Sequence, residues 1–171
     1  MPVENPYAYG NAWFVNTVKF VDNANQEIEA VGKHDLRHEA VADVKFREQL
    51  KAVPEQAADS ASLVTMTSYE PNRLCYDVTS ARGGVVVFSE IYYPGWTATV
   101  DEQPVELGRV DYVLRALTVT PGRHKVELSF FPKSVHTTES IAYIAYGILI
   151  LVVVGAVFKK VKKEKGKKVK K

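Results

Sequence analysis

The chain is poor in cysteine. Cys75 is the only one in 171 residues, so an intramolecular disulfide cannot form and neither can a zinc site built on thiolates. A small extracellular module held by disulfides is excluded with them. A Gly-rich phosphate loop is missing, since Gly83-Gly84 alone reads as a turn, and no G-x-S-x-G nucleophile elbow occurs. The opening "MPVENPYAYGNAWFV" has no basic n-region and no apolar h-region, so it does not read as a signal peptide. Positive charge is also scarce over most of the length. Residues 159–171, "KKVKKEKGKKVKK", hold nine Lys and one Glu. Of the 22 basic and 20 acidic residues, 13 and 19 therefore remain in residues 1–158, a formal charge of −6. Phosphate binding needs a basic surface, so an acidic body argues against nucleic acid as a partner.

What the chain does have is one long hydrophobic run, "IAYIAYGILILVVVGAVF", residues 141–158, without a charge. As a helix its 18 residues would span roughly 27 Å, close to the ~30 Å hydrocarbon thickness of a bilayer. Tyr143 and Tyr146 near one end suit an interfacial position, and Lys159 and Lys160 close the other end, where long side chains reach headgroup phosphates. Thr137, Thr138 and Ser140 offer N-cap oxygens before it. The expectation is a transmembrane helix over 140–158 anchored by these tyrosines and lysines, followed by a basic tail over 159–171. The positive-inside rule puts that tail in the cytoplasm and the body outside. Carrying the body across requires a segment that the residues before it do not supply. The expectation is therefore the C-terminal piece of a longer polytopic protein, its partners being the lipid bilayer and the remaining spans. A tail-anchored protein with a cytosolic body would put the lysines on the wrong side.

Before the run, residues 62–131 alternate in polarity and turn at short intervals, the pattern of a β-sandwich. "LVTMTSY" and "RLCYDVTS" flank "EPN", a hairpin connection. In the second strand Leu74, Tyr76 and Val78 share one face, and Arg73, Cys75, Asp77 and Thr79 the other. In "RHKVELSFF" the inward set is His124, Val126, Leu128 and Phe130. "GVVVFSEIYY" (84–93) and "YVLRALTV" (112–119) are apolar on both faces and read as central strands covered on both sides. Pro94-Gly95 and Pro121-Gly122 have the chemistry of type II turns. The first ends one strand and starts the next at Trp96. Residues 1–52 read as a mixed α/β lead-in: a strand over Asn11–Val21, a short helix capped by Asp22 and stopped by Gly32, and a strand in "VADVKF". Residues 53–61 are small, polar and Pro-containing, a linker. The fold class is mainly β: a sandwich over 62–133, of jelly-roll or immunoglobulin-like kind, with the lead-in before it and one transmembrane helix after it.

Four stretches carry a resemblance. "GNAWFV", "FSEIYYPGW", "DYVLRAL" and "PGRHKVELSFFP", in this order and ahead of a final apolar helix, resemble the C-terminal region of YfhO-type bacterial membrane proteins. The resemblance implies a large protein with many spans and the architecture of GT-C glycosyltransferases, in the bacterial cytoplasmic membrane. Such enzymes take sugars from polyprenyl-phosphate donors and glycosylate envelope polymers on the outer side. Their essential carboxylate lies in an early extracytoplasmic loop with no counterpart here, so no catalytic residue is carried over. One departure stands out: the turn after Val100 reads Asp101-Glu102 where the family has Asp-Gly. Glu102 lacks glycine's freedom at positive φ.

Tyr92, Tyr93 and Trp96 are the candidate glycan-contacting residues, because aromatic faces stack on sugar rings. The bland alternative is a core plug that buries large area. Glu90, in an otherwise apolar strand, needs a partner if buried, and Arg115 is the natural one. A catalytic alternative would pair Glu90 with Asp101 or Asp111 across a cleft. His34 and His38 in "HDLRHE" have metal-ligand spacing only if helical, and the HExxH form is missing. Nothing in these patterns implies a metal or a cofactor. The function expected is a noncatalytic extracytoplasmic module of a sugar-transferring membrane protein, in contact with envelope glycans or polyprenyl-phosphate sugars. The competing class is a membrane-anchored carbohydrate-binding or scaffolding module outside any transferase.

Overall fold

The computed structural model describes residues 5, 8–50 and 62–168. The expected linker, 53–61, lies outside them. Two compact units divide the chain, one ending at Phe131 and one starting at Pro132.

The first unit is built on two facing sheets. A five-stranded sheet has the order β4 (Leu63–Glu70), β5 (Arg73–Ser80), β11 (Gly122–Phe130), β7 (Trp96–Val100), β8 (Gln103–Val105). A four-stranded sheet has the order β1 (Ala12–Val15), β6 (Gly84–Ile91), β10 (Leu114–Val119), β9 (Gly108–Val110). Pairing within both is antiparallel. The inward residues of β5 and β11 meet those of β6 and β10 in one core: Leu74, Tyr76, Val78, Val126 and Leu128 against Val86, Phe88, Leu117 and Val119. Tyr76 meets Phe88 edge-on at 4.9 Å. Its hydroxyl finds no partner, and burial pushes its pKa up to about 12. The sandwich draws its strand β1 from upstream of residue 62, where the sequence places only a lead-in.

The lead-in adds a second, smaller core. β2 (Thr17–Val21) pairs in parallel with β3 (Glu39–Asp43), and α1 (Ala24–Val31) connects them. Val85, Val87 and Ala116, on the outer face of the four-stranded sheet, pack with Val15, Ala40, Ala42, Leu50 and Val110. This explains the runs that are apolar on both faces. Alternate residues of β6 and β10 point into two different cores.

Three local readings are corrected. The stretch Asn11–Val21 is two strands, divided at Asn16, whose N–H donates to the His38 carbonyl at 2.7 Å. The cap of α1 is Asn23, whose side chain accepts from the Gln26 N–H at 3.1 Å, and Gln26 in turn accepts from the Asp22 N–H. Pro121-Gly122 is not a type II turn: Pro121 is a bend between strands of different sheets, and Gly122 already opens β11 at φ 135°.

The second unit is one helix, α2 (Lys133–Lys168), of 36 residues. It begins directly after Pro132, so Thr137, Thr138 and Ser140 lie within it and are not its caps. Residues Thr137–Ala156 are long and apolar enough to cross a bilayer, and none of that stretch is buried by protein. A buried core helix would be covered by its own fold, and this one is not. Tyr143, Tyr146 and Lys159 are exposed, and Lys160 lies in the same helix.

Candidate functional site

The chain passes between the two sheets at Pro94-Gly95. β6 belongs to one sheet and β7 to the other. Gly95 takes φ 105°, and the Trp96 N–H returns to the Tyr93 carbonyl at 3.4 Å, which closes the turn. Proline fixes the first turn residue and glycine supplies the positive φ that a side chain would resist. The corner is secured from both sides. The Tyr92 N–H donates to the Val113 carbonyl at 2.7 Å, and the Phe131 N–H to the Gly95 carbonyl at 3.0 Å.

An open groove of about 640 Å³ lies along this corner. Tyr92, Tyr93, Pro94 and Trp96 line it, together with Pro104, Val105, Glu106 and Leu107. Gln49 also lines it and donates through Nε2 to Glu106 Oε2 at 3.0 Å. The groove thus joins aromatic rings to a polar pair, the mixture that a hydroxylated ring compound needs.

The three aromatics differ in what they leave open. Tyr92 packs edge-on against Phe46 at 5.5 Å. Trp96 packs against the sandwich core and lies 5.3 Å from Phe130. The Arg115 guanidinium sits 3.9 Å from the centre of its indole ring. Tyr93 is 62% exposed and offers the open ring.

Arg115 supports the corner from beneath. It is 3% exposed. Its Nε donates to the Ile91 carbonyl at 2.8 Å, and its Nη2 lies 3.6 Å from Glu90 Oε2. The register between β6 and β10 shifts here: Arg115 pairs with Phe88, and Leu114 with Ile91. Ser89 and Glu90 therefore fall in a bulge, which turns Glu90 toward the arginine and leaves it partly solvated. Burial lowers the Arg115 pKa, while the neighbouring Glu90 opposes the shift.

The other two carboxylates that the sequence offers as acid/base partners serve elsewhere. Asp101 lies at the opposite end of β7. It accepts from the Lys125 N–H at 2.8 Å and pairs with His124 Nδ1 at 2.7 Å. The Lys125 N–H, and after it His124, lower the Asp101 pKa. His124 is therefore a half-buried residue at the sandwich rim, also bonded to the Thr120 carbonyl. Asp111 is buried and accepts from the Val41 N–H at 2.8 Å. His34 pairs with Glu39 at 2.6 Å, and His38 lies 3.9 Å from Asp35. Their segment is a turn and not a helix, so the i, i+4 spacing does not bring them to one face. Among the described residues no cluster of His, Cys, Asp or Glu is arranged to hold a metal.

Sequence reasoning missed Glu27. It is fully buried on α1, pairs with Arg109 of β9, and accepts from the Tyr112 N–H at 3.0 Å. Asp111 and Tyr112 have φ 50° and 69°, a left-handed turn without glycine. Glu27 and Val41 hold that turn from the lead-in. The one hint in the sequence is that Glu27 shares a face with Ala30, three residues on and also buried.

The family model described as "Bacterial membrane protein YfhO" matches residues 5–142, most of the chain. No curated protein and no solved structure shows a match. The match runs through both sheets and into the apolar helix, and on it the chain belongs to the YfhO family of bacterial membrane proteins.

Proposed function

We propose that the β unit is an extracytoplasmic, noncatalytic carbohydrate-binding module of a sugar-transferring membrane protein, held by α2 and the remaining spans of that protein. The observation that carries it is the corner groove, which an exposed Tyr93 ring lines together with the Gln49–Glu106 pair. A sugar ring stacks on an aromatic face while its hydroxyls bond to amide and carboxylate groups. A binding role is favoured over a catalytic one because Glu90, Asp101 and Asp111 are each engaged by structural partners. Nine lysines beyond the apolar stretch favour a cytoplasmic tail and an outward-facing β unit.

The test is a glycan array probed with the detergent-solubilised full chain, beside a Tyr93→Ala variant. Binding by the parent that falls at least about tenfold in the variant, with unchanged melting, supports the module; tenfold corresponds to about 1.4 kcal/mol. A folded parent that binds no glycan overturns it and leaves the scaffolding role.

A further inference from the structure

The two ends of the sandwich differ in chemistry. One end is formed by the C-termini of β4, β6 and β11 and the N-termini of β5, β7 and β10. It exposes Tyr69 (68%), Ile91 (65%), Tyr93 (62%), Phe131 (62%) and Val113 (44%). These belong to one patch of backbone: Val113 accepts from Tyr92, Phe131 donates to Gly95, and Asn72, in the turn after Tyr69, accepts from Phe130 at 2.9 Å. The other end exposes Arg82, Asp101, Glu102, Gln103, Thr120 and Arg123. Leu63 is the one large apolar side chain exposed there among the described residues.

A patch of this kind needs a cover, and the chain itself indicates which. Phe131 is the last residue of the β unit, and the apolar stretch of α2 begins at Thr137. The six steps between them span about 9 Å as helix and about 20 Å at full stretch. Whatever the angle between the two units, that tether keeps the apolar end near the bilayer surface. Tyrosines mixed with Ile, Val and Phe are the composition that interfaces favour, ring body in the acyl boundary and hydroxyl among headgroups. Glu70 and Arg73 flank the β4–β5 turn as rim charges.

From this we infer that Ile91, Val113, Phe131 and Tyr69 dip into the headgroup layer, with Tyr93 left at the open margin of the patch, so that the sandwich stands on the membrane with this end down. The inference does not depend on carbohydrate binding, and Tyr93 is left out of its test. The full chain, with Cys75→Ser, is reconstituted in nanodiscs of phosphatidylcholine and phosphatidylglycerol. Single cysteines from Ile91→Cys, Val113→Cys, Phe131→Cys and, at the far end, Arg82→Cys carry an environment-sensitive fluorophore. All four positions are solvent-exposed, so the core is untouched. Spin-labelled lipid is expected to quench the labels at 91, 113 and 131 at least about twofold more than the label at 82. Equal quenching at both ends overturns the inference. So does a blue shift at 91 and 131 without lipid quenching, which would mean that protein, a second copy included, covers the patch.

Discussion

Asp111 offers the sharpest test of the packing between lead-in and sandwich. It is 5% exposed, its Oδ1 accepts from the Val41 N–H, and its Oδ2 has no partner. Burial raises its pKa from the ordinary 3.8 to about 6; the Val41 N–H opposes this and the nearby Glu27 adds to it. Between those values the folded chain holds a proton that the unfolded chain has released. Stability therefore falls as pH rises through this window, at about 1.4 kcal/mol per unit, or about 3 kcal/mol across the whole of it. Asp111→Asn keeps an acceptor for Val41, carries no charge, and suits the left-handed φ at least as well as aspartate. The assay is urea unfolding of the detergent-solubilised chain, followed by Trp13 and Trp96 fluorescence, from pH 4 to 7.5. The variant should match the parent near pH 4 and exceed it by up to about 3 kcal/mol above pH 7. Titrating groups far from Asp111 cancel in the difference. Parallel curves, or a gap that narrows as pH rises, would refute the assignment of a buried, destabilised carboxylate.

Other outcomes follow from the corner and the turns. Glu102 sits at φ 66° between β7 and β8. Glu102→Gly removes about 1–2 kcal/mol of left-handed strain against about 0.5–1 kcal/mol of added backbone entropy, so the melting temperature should rise; a lower one would show that the side chain contributes something unrecognised. Arg115→Ala orphans the Ile91 carbonyl and strips the guanidinium from Trp96, an expected loss of about 3 kcal/mol by denaturant unfolding. Glu90→Gln should cost less than about 1 kcal/mol, because Glu90 is itself partly solvated and lies 3.6 Å from Arg115. Equal losses in the two variants would mean that the ion pair, and not the carbonyl and the indole, holds the corner.

Much of the sandwich was legible because its signals are local. Alternation in β5 and β11 fixed their inward residues, the doubly apolar runs marked β6 and β10 as central, and Pro94-Gly95 marked the corner. The aromatic trio could be named for the same reason, since two of its members flank that turn directly. What escaped was set by distant partners. Nothing near Glu27 says that a charged helix residue will be buried, because Arg109 lies 82 positions away. The left-handed Asp111–Tyr112 turn runs against local propensity and persists because Val41 and Glu27 hold it. Asn16 divides one apolar run into strands of two different sheets, a division imposed by their partners β6 and β3. The start of α2 was misplaced because polar residues that suit a cap also suit the early turns of a longer helix.

The four-stranded sheet works as a party wall, with tenants on both sides. A chain cut before residue 62 would take away β1 and strip one side bare, leaving Val85, Val87 and Ala116 facing water. Neither tenant can remodel alone: a substitution in β6 or β10 is felt through the wall, so the two halves are bound to melt together and to vary together.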